Sequence, residues 1–252
     1  MKLARVVTLL ALAAASAACI SVREPITPLA TRVLSGSEGS PGRCLVLFLP
    51  GRRDSFGVYG RQRFPDLARE AGLDADFVEV DAHLGYYQAE TISRRLEADV
   101  VARARDKGVE KVWIVGISMG GLGGILYARE NPRGARGVVA LSPYLGEQEP
   151  KLVASAGGLA SYRMGPARAV ADYERELWGW LQRYAAEGSE RPPIYLGIAR
   201  DDELAPSERL LGDVLPGGRV FSEDGGHDWK TWTKLWKNVL RAGVLQKDCG
   251  KD

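Results

Sequence analysis

The stretch from Lys111 to Ala128, KVWIVGISMGGLGGILYA, constrains the fold of this chain more than any other. Val112, Trp113, Ile114 and Val115 form a short apolar, partly β-branched run, the pattern of a buried strand. After Gly121 the apolar residues Leu122, Ile125, Leu126 and Ala128 fall at helical spacing. Between the two lies Gly116-Ile117-Ser118-Met119-Gly120, a G-x-S-x-G pattern. A strand that turns straight into a helix holds its central residue at a sharp bend, with the side chain clear of the sheet. Glycines two positions to either side are wanted where strand and helix pass too close for a Cβ. The backbone N–H of Met119, in the first turn of the helix, has no intrahelical partner and can face a developing oxyanion. The alternative reading is a glycine-rich loop with an incidental serine; the strand before and the helix after weigh against it. A dinucleotide fingerprint fails, because the last glycine of a G-x-G-x-x-G starting at Gly121 would fall on Leu126.

This strand, turn and helix resemble the nucleophile elbow of the α/β-hydrolase superfamily. The resemblance implies an α/β-hydrolase fold: a mostly parallel central sheet with helices on both faces and a small cap insertion. It also implies that an acid and then a histidine follow the serine along the chain. Cys44 to Leu49 reads as a continuous apolar strand broken by Pro50-Gly51, and the loop after it matches the one that supplies the second oxyanion donor in the family. The backbone N–H of Arg52 is the candidate there. The side chains of Arg52 and Arg53 read as solvated, with a grip on an anionic substrate group as the alternative.

The acid follows the strand Ile194 to Ala199. Its register, four residues before Pro206, points to Asp202, with Asp201 as runner-up and a solvated acidic turn as the bland reading. His227, in Gly225-Gly226-His227-Asp228-Trp229-Lys230-Thr231-Trp232, is the sole histidine downstream of Ser118. G-G-H-x-W-x-x-W is similar to the histidine loop of bacterial serine esterases. The other histidine, His83, precedes Ser118 and is expected to hold its loop or line the pocket rather than act as base. The tryptophans read as packing of the last helix.

A serine hydroxyl is a poor nucleophile near neutral pH, and an imidazole within hydrogen-bond reach can take its proton as attack proceeds. The resemblance thus implies a carboxylic-ester hydrolase that acts on a small or medium ester through an acyl-enzyme on Ser118, without metal or organic cofactor. A peptidase, thioesterase or acyltransferase would use the same three residues. A non-catalytic exported binding or scaffold protein is the reading from another class.

Remaining elements fit one α/β domain. Arg63 to Ala71 reads as a helix with Pro65 in its first turn. Asp76 to Val80 alternates as a strand, as does a short run near Arg219 to Phe221. Thr91 can cap a helix running to about Lys107, with Ile92, Leu96, Val100, Val101 and Ala104 on one face. Gly137 to Leu141 is a further apolar strand. Residues 143–191 are the cap or connecting segment, with Val170, Tyr173, Leu177, Trp178, Leu181 and Tyr184 at helical intervals between Ala167 and Ala186. A modest lid is expected there, not a covered tunnel.

Residues 1–18 read as a signal peptide: Lys2 and Arg5 precede an uncharged run that ends in small residues. It is short for a spanning helix, and a polar stretch follows, so the mature chain is expected to carry no transmembrane span. Removing the segment takes the formal charge from +2 to 0. Ser16-Ala17-Ala18-Cys19 resembles a bacterial lipobox with Ser16 at the usual leucine position; the alternatives are lipidation of Cys19 and plain signal-peptidase cleavage after Ala17 or Ala18. Either way the protein is expected to be exported, periplasmic or membrane-anchored. Residues 19–42, rich in Pro, Ser, Gly and Thr, read as a linker with one edge strand near Thr31 to Leu34, and 43–252 as the domain. No basic block suggests nucleic acid. Cys44 and Cys249 remain as a candidate disulfide pair: the family topology starts the first core strand at the base of the sheet and returns the last helix there.

Overall fold

The computed structural model describes residues 22–36, 44–166, 173–186 and 191–250. Seven strands make one sheet: β1 (Thr31–Ser35), β2 (Cys44–Leu49), β3 (Asp76–Val80), β4 (Lys111–Ile117), β5 (Gly137–Leu141), β6 (Ile194–Ala199) and β7 (Val220–Glu223). Their order is β1-β3-β2-β4-β5-β6-β7. Only the β1–β3 pairing is antiparallel; every other pair is parallel. This is the mostly parallel sheet with helices on both faces that the resemblance implies.

Parallel strands covered on both faces must be apolar on both faces. All six residues of β2 are buried, and alternation sends them to opposite layers. Val46 and Phe48 pack with Phe64 of the helix Phe64–Glu70 and with Trp232, Leu235 and Trp236 of the helix Trp229–Arg241. Leu45, Leu47 and Leu49 pack with Ile92, Leu96 and Val101 on the other face. Those last three belong to one continuous helix made of Ile92–Arg95, a π-helical turn Leu96–Val101 and Ala102–Arg105. The π turn adds a residue to the spiral, and the neighbours Val100 and Val101 both face inward. Thr91 occupies the N-cap position but does not cap; its hydroxyl turns back to the carbonyl of Tyr86.

The stretch expected as a linker is held against the domain over its described part. β1 forms the sheet edge, Leu29 is buried, and the Leu29 N–H donates to Asp99 at 2.8 Å. Arg23 pairs with Asp81 at 2.6 Å, and the Tyr86 hydroxyl donates to the Ile26 carbonyl. Polar composition concealed this, because the anchoring groups come from residues some sixty positions away.

In the cap segment the expected helix is described over Tyr173–Leu181 and continues as a 3₁₀ turn at Gln182–Ala185. Leu177, Trp178, Leu181 and Tyr184 are buried; Val170 lies outside the described residues. A second helix, Glu149–Ser155, was not expected. The Glu174 carboxylate anchors its start by accepting from the backbone N–H groups of Glu147, Gln148 and Glu149 at 2.8–3.0 Å. Residues 1–18 and Cys19 lie outside the described residues. Among the described residues no helix is long and apolar enough to cross a membrane.

Cys44 and Cys249 form a disulfide that joins the start of β2 to the short helix Gln246–Cys249. It closes a loop with a sequence separation of 205. In the chain-entropy picture such a loop stabilises the fold by about 5 kcal/mol relative to the reduced chain.

Candidate active site

Ser118 sits between the end of β4 and the helix Met119–Glu130, with φ 53° and ψ −118°. This is a left-handed conformation that an L residue adopts only when its surroundings enforce it. They do so here. The Ser118 N–H donates to the Leu141 carbonyl at 2.9 Å, and its carbonyl accepts from Tyr144 N–H at 3.1 Å. A Cβ on Gly116 would lie 2.1 Å from the Gly120 carbonyl oxygen, and one on Gly120 would lie 2.0 Å from that of Leu49. Both glycines of the motif are thus required by backbone packing, as its spacing predicts.

The loop after β7 brings His227 over this turn. His227 Nε2 lies 2.9 Å from Ser118 Oγ, and His227 Nδ1 lies 2.5 Å from Asp202 Oδ2. The other Asp202 oxygen accepts from Leu204 N–H at 3.0 Å. Burial would raise the Asp202 carboxyl, but hydrogen bonds from His227 and from the Leu204 N–H outweigh it and hold the group below its ordinary value. An ionised Asp202 requires the proton on Nδ1, which leaves Nε2 free to accept the serine proton. The edge of the Trp232 ring meets the imidazole, with centroids 4.9 Å apart, and Asp228 caps the following helix through Thr231 N–H. Both fix the loop that carries His227.

Asp201, the runner-up, points elsewhere. Its carboxylate accepts from Gly225 N–H at 3.0 Å and pins the start of the histidine loop rather than the imidazole. His83 holds its own loop: Nδ1 accepts from Gly85 N–H, which caps the helix Leu84–Gln88. Burial first and the charge of Arg23 second push its pKa down.

The N–H of Met119 stands in the first turn of its helix with no hydrogen bond among the described residues. In the loop after β2 the Gly51 N–H is already used by Asp54 at 2.9 Å, whereas that of Arg52 has no partner among the described residues. Arg52 and Ser118 line both cavities that open here, and the Arg52 and Arg53 side chains are exposed.

Four residues play a part here that the sequence did not reveal. Asp54 accepts from Gly51 N–H and from the Trp229 indole at 2.9 Å, tying the Arg52 loop to the histidine loop. An aspartate three residues past a Pro-Gly break is a turn-forming signal that could have flagged it. The tryptophans were expected only to pack, yet Trp229 and Trp232 touch the site as well as the core. Glu208 is fully buried near Asp202, and neither carboxyl oxygen has a hydrogen-bond partner among the described residues. Burial first and the Asp202 charge second push it up to about 9, so it is uncharged at neutral pH. It adds no second negative charge behind the imidazole. Glu208 lies three residues before Leu211 on the buried stripe of the helix Ala205–Gly212, which a periodicity reading would have exposed.

No protein-family model matches the chain. An acetyl esterase of Caldicellulosiruptor saccharolyticus is 29% identical over 142 residues, which is 52% of this chain and 53% of the relative. The match thus spans about half the length of that relative. Among solved structures, a ferulic acid esterase superposes with TM-score 0.59 at 15% identity, covering 82% of this chain and 86% of that one. A Paleococcus ferrophilus monoacylglycerol lipase gives TM-score 0.54 at 19% identity, covering 84% and 98%. An arylesterase gives TM-score 0.54 at 18% identity, covering 90% and 88%. At these identities the likeness shows the fold, and it does so across most of each chain.

Proposed function

We propose that this chain, an α/β-hydrolase by fold, is a serine hydrolase that cleaves carboxylic esters through an acyl-enzyme on Ser118. The observation that carries the reading is the unbroken hydrogen-bond path from Asp202 through His227 to Ser118, open to cavities on either side. In this reading His227 takes the serine proton as Oγ attacks the ester carbonyl, and Asp202 stabilises the imidazolium. The N–H groups of Met119 and Arg52 receive the oxyanion; each such donor lowers the barrier by roughly 3 kcal/mol in comparable sites. Esterases among the relatives support an ester over a peptide bond. The solvent-exposed Ser118–His227 hydrogen bond favours water as the second acceptor over a protected acyl-transfer site. A fluorophosphonate probe is expected to label the folded protein, with the adduct mapping to Ser118 by peptide mass spectrometry. Absence of label, or an adduct on another serine, would remove this reading and leave a non-catalytic binding protein.

We also infer export, with Cys19 as the new N-terminus carrying a lipid. The charged-then-apolar leader and the Cys44–Cys249 disulfide support export, because disulfides persist in oxidising compartments, and the lipobox-like Ser16-Ala17-Ala18-Cys19 supports the lipid. Intact-mass measurement of the mature protein is expected to read a diacylated N-terminal Cys19. A mass matching the bare chain from Cys19 or Ala18 means cleavage without lipidation.

A further inference from the structure

Two cavities flank Ser118, of about 1000 Å³ and about 750 Å³. Arg52, Ser118, Tyr144 and Glu147 line both, so the two meet at the serine. They differ in what else reaches them. His227 lines the larger and not the smaller; Met119 lines the smaller and not the larger.

The chemistry of ester cleavage distinguishes the two. As Ser118 Oγ bonds to the carbonyl carbon, its proton passes to His227 Nε2. When the C–O bond to the alcohol breaks, that proton goes to the departing oxygen. The alcohol must therefore lie on the side where His227 is exposed. The carbonyl oxygen takes the direction of the Met119 and Arg52 N–H groups. One substituent of the tetrahedral carbon remains, the acyl chain, and it has one direction left. Water then repeats the sequence with the alcohol gone.

We propose that the smaller cavity is the acyl pocket, that it takes a bulky apolar acyl group of medium-chain or aryl size, and that the larger cavity takes the alcohol. This deepens the serine-hydrolase reading and rests on it. Apolar and aromatic residues line the smaller cavity, among them Leu122 and Leu126, one helical turn apart on Met119–Glu130, with Leu84, Tyr87 and Ile92. Gly123 makes room for one wall: a Cβ there would lie 2.4 Å from the Tyr87 hydroxyl oxygen, so glycine lets that ring lie against the helix. Charged residues line the cavity too, among them Arg129 and Glu176, which approach to 3.8 Å. A volume of about 750 Å³ is far more than an acetyl group fills and lies within the roughly 300–1,000 Å³ of small-molecule sites. The larger cavity sets Arg53, Lys151, Glu203 and Asp228 beside Leu204, Leu210, Trp229 and Trp232, a lining of mixed character with room for the alcohol.

Leu126, partly buried and remote from the reacting atoms, allows the test. The probes are p-nitrophenyl acetate and octanoate for the acyl side, and ethyl and octyl acetate for the alcohol side. Leu126→Trp is expected to lower the octanoate-to-acetate ratio of kcat/KM by about tenfold or more, as filling an apolar pocket does. The octyl-to-ethyl ratio should move by less than about threefold, because a side chain outside the alcohol's cavity does not touch it. Leu84→Trp, in the lining of the same cavity, should act in the same direction and covers the case in which the first variant fails to fold. If either folded variant shifts the alcohol ratio instead, or neither shifts the acyl ratio, the assignment is overturned while fluorophosphonate labelling of Ser118 persists. A wild type that takes no label and cleaves none of the four esters loses the serine-hydrolase reading itself.

Discussion

Alanine at Ser118 and alanine at His227 are each expected to lower kcat for p-nitrophenyl acetate by roughly 10⁶-fold, and the double substitution to cost no more than either alone. Ser118 Oγ and His227 Nε2 are 2.9 Å apart and share one proton. Without the imidazole the hydroxyl keeps its proton; without the hydroxyl the imidazole has nothing to activate in the first step. Each loss disables the same event, so free energies of the single variants do not add. A residual rate roughly 10³–10⁴-fold above water is expected in all three variants, supplied by the Met119 and Arg52 N–H groups and by binding. The measurement is kcat for the two single variants and the double variant under the same conditions. Two losses that multiply would mean that the side chains act in separate steps. Full turnover in Ser118→Ala would remove the nucleophile from the scheme.

How much of this fold and site is legible in the sequence depends on how local each signal is. The Ser118 turn could be read from the sequence because its requirements fall within five residues: two missing Cβ atoms and a strand that runs directly into a helix. β2, β5 and β6 could be read for a similar reason, since burial on both faces leaves an uninterrupted apolar run. His227 was found by its order along the chain and by the local G-G-H-x-W-x-x-W pattern around it. What could not be read is set by distant partners. Asp54 meets Trp229 across 175 positions, and the Glu149–Ser155 helix is anchored by Glu174 from the next cap element. The π turn at Leu96–Val101 follows from fitting two adjacent valines into one layer, which a regular 3.6-residue reading does not anticipate. The choice between Asp201 and Asp202 is of the same kind. Adjacent residues at a strand end point in opposite directions, and only the path of the histidine loop determines which one the imidazole meets.

That choice carries the second large effect. Asp202→Asn is expected to lower kcat by roughly 10⁴-fold while leaving the fold intact. Asparagine can present an N–H to His227 Nδ1 where the carboxylate presented a lone pair. The imidazole then carries its proton on Nε2, facing Ser118, and cannot accept another there. Asp201→Asn should cost less than about tenfold, because an amide oxygen still accepts from Gly225 N–H and the histidine loop stays pinned. A larger loss from Asp201→Asn than from Asp202→Asn would exchange their roles. Stability against pH gives a readout independent of turnover. The folded state holds the Asp202 carboxyl below its ordinary value, so its contribution is present above the ordinary carboxylate range and is lost as pH falls through the folded value. Urea denaturation at stepped pH should show wild type losing stability more steeply than Asp202→Asn on the acid side of that range. Parallel acid limbs would mean that the His227–Asp202 hydrogen bond contributes nothing to holding the carboxylate ionised, and the tautomer argument for the 10⁴-fold loss would fail with it.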